Sequence, residues 1–208
     1  MKTTSLKLFQ PATLAALAII TLCGVSICPA QAGYTVTLEE VGTDVVATGS
    51  GAIDLTGLRF ATGSGASPMI DPNAGHNPPG DQNPLIFTGP TSSSVDWYFL
   101  PMRPMSFGSG GLTFASSGSG DMVGIEVGGE FGFARVIVPA GYVSGNALSD
   151  MAIYSGQNLA SLGVTPGTYV WTWGTGANQI FTLEILPCTG RCGPTPRPLP
   201  TPAPRLSP

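Results

Sequence analysis

The sequence predicts an all-β fold: an antiparallel β-sandwich or jelly-roll-like domain followed by a disordered Pro-rich C-terminal tail. Three observations predict it. Apolar and polar residues alternate in short runs, as in Tyr34, Val36 and Leu38 against Thr35, Thr37 and Glu39. Glycine and proline interrupt these runs throughout, with 29 Gly and 20 Pro in 208 residues, more punctuation than long helices tolerate. No segment sustains an apolar 3.6-residue period over three turns. Many short strands between turn signals indicate packed sheets. Their hairpin-like connections indicate mostly antiparallel pairing.

The chain opens with a different pattern. Lys2 and Lys7 supply positive charge, and an apolar stretch runs from Leu14 through Ile27. Ala30-Gln31-Ala32 then places small residues just ahead of Gly33. That is the layout of a secretory signal peptide over residues 1–32, cut between Ala32 and Gly33. The apolar stretch is too short to argue for a membrane span. Cys23 follows Leu22 and Cys28 follows Ile27. A lipid-modified cysteine needs a small residue before it, so the Ala-x-Ala site is the better fit.

From residue 33 the elements follow in order. Tyr34 to Leu38 reads as a half-buried strand. Asp44 to Leu58 continues extended, with Gly49 and Gly51 marking a bulge or close packing. Thr62 to Pro84 reads as one long polar loop, either a binding loop or a mobile connection. Val95 to Leu100 is an aromatic-rich strand. Met122 to Val127 and Phe131 to Val138 flank Gly128-Gly129-Glu130 as a hairpin. Met151 to Tyr154 is a short strand, and Asn158 to Leu162 has room for one helical turn. Thr168 to Trp173 and Gln179 to Ile185 form a second hairpin. The expected core is Val36, Leu38, Val46, Ile53, Trp97, Phe99, Ile125, Phe133, Ile137, Trp171, Phe181 and Leu183.

This organises the chain into a signal peptide (1–32), a β-sandwich domain (33–187) and a Pro-rich tail (188–208). The tail holds 7 prolines. It cannot enter a sheet, and polyproline II is its natural state. Charge divides the same way. Residues 33–187 carry 12 acids and 3 arginines (3 − 12 = −9), and residues 188–208 carry 3 arginines and no acid. No lysine follows Lys7. So acidic a body repels nucleic acid and anionic lipid.

Two cysteines follow the leader, Cys188 and Cys192. Three readings stand: a disulfide closing a small loop in an oxidising compartment, free or intermolecular thiols, or a metal pair. Zinc usually takes four ligands, and the only histidine, His76, is distant in sequence.

Several strings resemble a family of exported bacterial proteins that usually end in a Pro-Glu-Pro sorting signal, the PEP-CTERM proteins. They are DVVATGSGAIDLTGL (44–58), TGPT (88–91), SFGSGG (106–111), SSGSGD (116–121) and LGVTPGTYVWTWG (162–174). The similarity runs over most of residues 33–186. The resemblance implies an exported β-sandwich of largely unknown function and brings no catalytic residues. The chain departs from the family at its end. There Ile185 leads into Leu186-Pro187-Cys188 and the Pro-rich tail, with neither the sorting signal nor an apolar span.

Catalytic chemistry finds little purchase. No Gly-x-Ser-x-Gly occurs after the leader, and a Ser-His relay has only His76 to use. No Gly-rich loop joins a strand to a helix, so nucleotide binding has no support. Asp121, Glu126 and Glu130 are the candidate carboxylates for glycoside hydrolysis. Asp121 and Glu126 are five apart, however, which in a strand puts them on opposite faces. Asp71, Asn73, Asn77, Asp81 and Asn83 gather oxygen ligands around His76, but the spacing fails the EF-hand pattern. Tyr169, Trp171 and Trp173 share one strand face. They are either core or an exposed strip for stacking on sugar rings.

The expectation is an exported, non-enzymatic β-sandwich with a cell-surface, matrix or interaction role. A carbohydrate-binding module is the alternative, and a secreted glycan-active enzyme a more distant one. Expected partners are extracellular polysaccharide or cell-surface components, with no cofactor, no nucleic acid and no membrane span after the leader. Tyr169, Trp171 and Trp173 are the stacking candidates under the alternative.

Overall fold

The computed structural model describes residues 33–73, 84–101, 106–127 and 134–188. Thirteen strands and one helical turn occur among them. In chain order they are β1 (Tyr34–Val41), β2 (Asp44–Ala52), β3 (Arg59–Ala66), β4 (Met69–Asp71), β5 (Leu85–Thr88), β6 (Ser93–Leu100), β7 (Thr113–Phe114), β8 (Ser117–Gly120), β9 (Val123–Val127), β10 (Ala134–Pro139), β11 (Ala147–Tyr154), α1 (Leu159–Leu162), β12 (Gly167–Thr172) and β13 (Ile180–Ile185). They build two sheets packed face to face. The first runs β12-β13-β1-β2-β11-β8 and the second β3-β6-β10-β9-β5-β4-β7. The fold is the expected all-β sandwich, and all its pairings are antiparallel but one: β1 lies parallel to β13. Among the described residues no helix is long and apolar enough to cross a membrane.

Local sequence explains the pieces. The β1–β2 hairpin turns through Gly42 and Thr43, and Gly42 sits at φ 66°, the positive value a tight primed turn needs. The predicted hairpins appear as the β9–β10 and β12–β13 pairs. The predicted helical turn is α1. Its N-cap Asn158 accepts from the Ser161 N–H at 2.7 Å, and the Ser161 hydroxyl accepts from the Asn158 N–H at 2.9 Å. That reciprocal box holds so short a helix in place.

The main core lies between the sheets. Tyr34, Val36, Leu38, Trp171, Phe181 and Leu183 come from the first sheet, and Ile70, Ile86, Ile125 and Val136 from the second. Ile53 also belongs to it. A smaller apolar cluster of Ala66, Phe87, Val95, Met122 and Ile137 lies apart from it, with Met69, Leu85 and Trp97 packed around it. Strand alternation puts that cluster on the other face of the second sheet. In β10, Val136 and Val138 join the main core while Ile137 between them joins the cluster.

Three expectations need correction. Val46 is half-buried, and Val45 takes the core position. The hairpin turn pairs Leu38 with Ala47 and Glu39 with Val46, and opposite residues share a face, so Val46 sides with exposed Glu39. Trp97 and Phe99 are likewise half-buried, because they alternate onto the outer face of the second sheet while Leu100 enters the core. The Thr62–Pro84 stretch is not one loop. Residues 62–66 complete β3, and β4 follows at once with Ile70 fully buried. β3 is an edge strand exposed along most of its length, and β4 has three residues, so neither shows an alternating apolar pattern. Phe133 of the expected core lies outside the described residues.

Candidate functional site

The outer face of the second sheet gathers the chemistry. Strand register places Arg59, Phe99, Arg135, Glu126, Leu85 and Asp71 opposite one another on successive strands, forming one row across the sheet. The next row is Thr62, Trp97, Ile137, Gly124, Phe87, Met69 and Phe114. Charge and aromatic rings fill the first row, and the second is mainly apolar.

A β-bulge assembles the exposed end. The β3–β6 register shifts between Phe60 and Thr62, with Ala61 as the extra residue. Arg59, Thr62 and Ser64 therefore fall on one face, although their spacing would divide them in a regular strand. All three are exposed. Behind them stand the half-buried rings of Phe99 and Trp97.

These side chains are held in place. The Arg59 guanidinium lies over the Phe99 ring, 5.0 Å from its centroid. The Arg135 guanidinium lies over the Trp97 ring at 4.7 Å and forms an ion pair with Glu126 at 2.8 Å. Trp97 donates its indole N–H to the Ser64 hydroxyl at 2.7 Å and meets Phe87 edge-on, with centroids 5.6 Å apart. Gly124 permits that contact: a Cβ there would collide with the Phe87 ring. At an exposed site such as Arg59 a cation–π contact contributes about 0.5–1 kcal/mol, which biases the side chain toward the ring against its larger rotamer entropy. The result is a face on which the exposed Arg59 guanidinium and Thr62 and Ser64 hydroxyls adjoin the half-buried Trp97 and Phe99 rings, with Arg135 engaged by Glu126.

The aromatic triad proposed for stacking lies elsewhere. Trp171 is fully buried and packs against Phe181 at 6.0 Å. Tyr169 packs against Phe107 and donates its hydroxyl to the Thr165 carbonyl at 3.0 Å. Trp173 donates its indole N–H to the Asp54 carbonyl at 2.8 Å. All three pack against the main core, so they tie loops to it and leave no exposed strip.

The candidate carboxylates also separate. Asp121 accepts from the Ser149 N–H at 2.9 Å, whereas Glu126 engages Arg135 on the outer face. Glu130 lies outside the described residues, as do His76, Asn77, Asp81 and Asn83 of the oxygen-rich segment. Asp71 ends β4, where it accepts from the Asn73 N–H at 3.2 Å. No group of three or more metal-ligating side chains occurs among the described residues. Cys188 is disulfide-bonded, and Cys192 is outside the described residues. Gly33 immediately precedes β1, and its N–H donates to the Asn178 side-chain oxygen at 3.1 Å. Ala32 is outside the described residues.

One buried polar group sits in the core itself. Asp150 on β11 is 5 % exposed and accepts a short hydrogen bond from the Tyr34 hydroxyl. Both press on Gly49, where any side chain would collide with them. Burial, the largest influence, raises the Asp150 carboxyl to about 6, and burial also pushes the Tyr34 phenol well above its ordinary value.

Sequence reasoning passed over the Arg59–Arg135 surface. The available signal was scarcity: in a body without lysine, Arg59 and Arg135 are two of only three arginines, and the third, Arg103, lies outside the described residues. No protein-family model, curated protein or solved structure matches the chain.

Proposed function

We propose that the chain is an exported, non-catalytic binding module that engages an extracellular polymer through the outer face of its second sheet. The observation that carries this reading is the placing of Arg59, Thr62, Ser64, Trp97 and Phe99 on one face of the sheet. Rings, hydroxyls and guanidinium groups on a flat strand surface are the groups that recognise sugars. Export is supported by the Lys2/Lys7, apolar and Ala30-Gln31-Ala32 order ahead of Gly33. A non-catalytic role is supported by Asp121 and Glu126, each engaged by a separate protein partner.

A glycan array probed with the exported protein tests the reading. Wild type is expected to retain a set of polysaccharides that Trp97→Ala and Phe99→Ala lose. Binding undisturbed by both substitutions would remove this face from the function. N-terminal sequencing of the exported protein is expected to begin at Gly33, and an intact Met1 would refute the export route.

A further inference from the structure

We propose that the sandwich is built to bear tension, with its last strand, β13, as a mechanical anchor held in shear against β1. This device lies in the first sheet, apart from the binding face, and works whatever ligand that face takes. β1 and β13 are the first and last strands among the described residues, and they pair in parallel from Tyr34↔Phe181 to Leu38↔Ile185. Parallel pairing puts the two chain exits at opposite ends of the sheet. The chain enters beside Phe181, at Gly33, and leaves beside Leu38, at Leu186. Tension between those points runs along the strands.

Direction decides how the hydrogen bonds share a load. Strands drawn past each other load every bond of the ladder at once, whereas strands drawn apart from one end break bonds one after another. β13 is also not an edge strand. β12 takes the edge, and β13 lies between β12 and β1, with six residue pairs to β12. β1 is held in turn by eight pairs to β2. The ladder continues past β13, where the Leu186 N–H donates to the Leu38 carbonyl at 3.0 Å. At the other end the Gly33 carbonyl accepts from the Ala52 N–H at 3.2 Å, and the Gly33 N–H donates to the Asn178 side-chain oxygen at 3.1 Å.

Side chains oppose sliding as well. Tyr34, Val36, Leu38, Phe181, Leu183 and Ile185 are all buried between the sheets, so the inner face of the ladder is dry. A slip of one residue would turn Thr182 and Glu184 into the core and Phe181, Leu183 and Ile185 out of it. The smallest slip that keeps the facing is two residues, roughly 6.6 Å, which breaks every bond of the ladder before any can form again. The Phe181 ring also packs against Tyr34 on one neighbouring strand and Trp171 on the other, with centroids 5.6 and 6.0 Å away, so it has to pass both.

Single-molecule force spectroscopy on the full chain, pulled in two directions, tests the proposal. Handles at the two chain termini draw β1 and β13 past each other. In the second geometry one handle stays at the C-terminus and the other sits on an azide-bearing phenylalanine in place of Thr43, which is exposed in the β1–β2 turn. That turn lies at the end of the sheet where the chain leaves β13, so this pull draws β13 away from β1 starting at the Leu38↔Ile185 pair. At equal loading rate the terminal pull is expected to need at least about twofold more force, because forced unfolding reads the barrier along the direction pulled. It is expected to release the whole length between Gly33 and Leu186 in one step. Urea unfolding of the Thr43 variant is expected to match wild type, which assigns the difference in force to direction and not to stability. Equal forces in the two directions would overturn the proposal. A terminal pull that peels the chain away in several small steps at low force would overturn it too.

Discussion

Replacing Asp150 with asparagine is expected to remove one pH dependence of folding stability whose size follows from the structure. The carboxyl is buried between the sheets and accepts from the Tyr34 hydroxyl, with Asp121 the other charged group acting on it and Thr88 and Gly49 against it. Burial raises it from an ordinary 3.8 to about 6, so the folded chain holds this proton more tightly than the unfolded chain. The stabilisation is therefore complete below about pH 4 and is lost as pH rises through about 6. A shift of about two units corresponds to about 3 kcal/mol in full, of which about 2.5 kcal/mol falls between pH 4 and pH 7. Asparagine keeps an acceptor for Tyr34 and does not titrate. Asp54 has the opposite sign, held below its ordinary value first by its hydrogen bond with Thr56, but it is common to both proteins and cancels in the difference. Urea unfolding of wild type and Asp150→Asn across pH 4–7 measures the effect. The stability of wild type relative to the variant is expected to fall by about 2.5 kcal/mol over that range. A difference that stays constant would refute the argument, because Asp150 would then titrate alike in the folded and unfolded chains.

Two further substitutions probe the same core. Phe181→Ala removes a ring packed against both Tyr34 and Trp171 and is expected to cost about 3–5 kcal/mol, read as a lowered melting temperature. Gly49→Ala puts a methyl group into the Tyr34 hydroxyl and the Asp150 carboxyl and is expected to cost about 1–3 kcal/mol. Combining Gly49→Ala with Tyr34→Phe is expected to recover part of that loss, and a strictly additive double variant would show that the collision lies elsewhere.

Strand content was legible where residues alternate strongly. Tyr34 to Leu38 and Phe181 to Ile185 announce one buried face each, and both lie in the main core. It was not legible where alternation is absent. β3 reads Arg-Phe-Ala-Thr-Gly-Ser-Gly-Ala and buries only its last residue, so the pattern resembles a loop. Apolar neighbours Val45 and Val46 left two possible registers, and the Gly42–Thr43 turn chose between them. The aromatic residues misled for a related reason. Trp171 and Trp97 are equally hydrophobic in sequence, but one points between the sheets and the other outward.

By itself the sequence determined the fold class, the two hairpins and the acidic, lysine-free character of the body. These follow from local periodicity, turn chemistry and composition, which need no knowledge of what packs where. Tertiary structure decided which face each strand shows and which strands are neighbours. Arg59, Phe99 and the hairpin pair Glu126–Arg135 lie far apart along the chain, yet pairing across four strands brings them into one row. The bulge at Ala61 then turns Thr62 and Ser64 onto the same face as Arg59, a change of one residue in register that reverses every side chain beyond it.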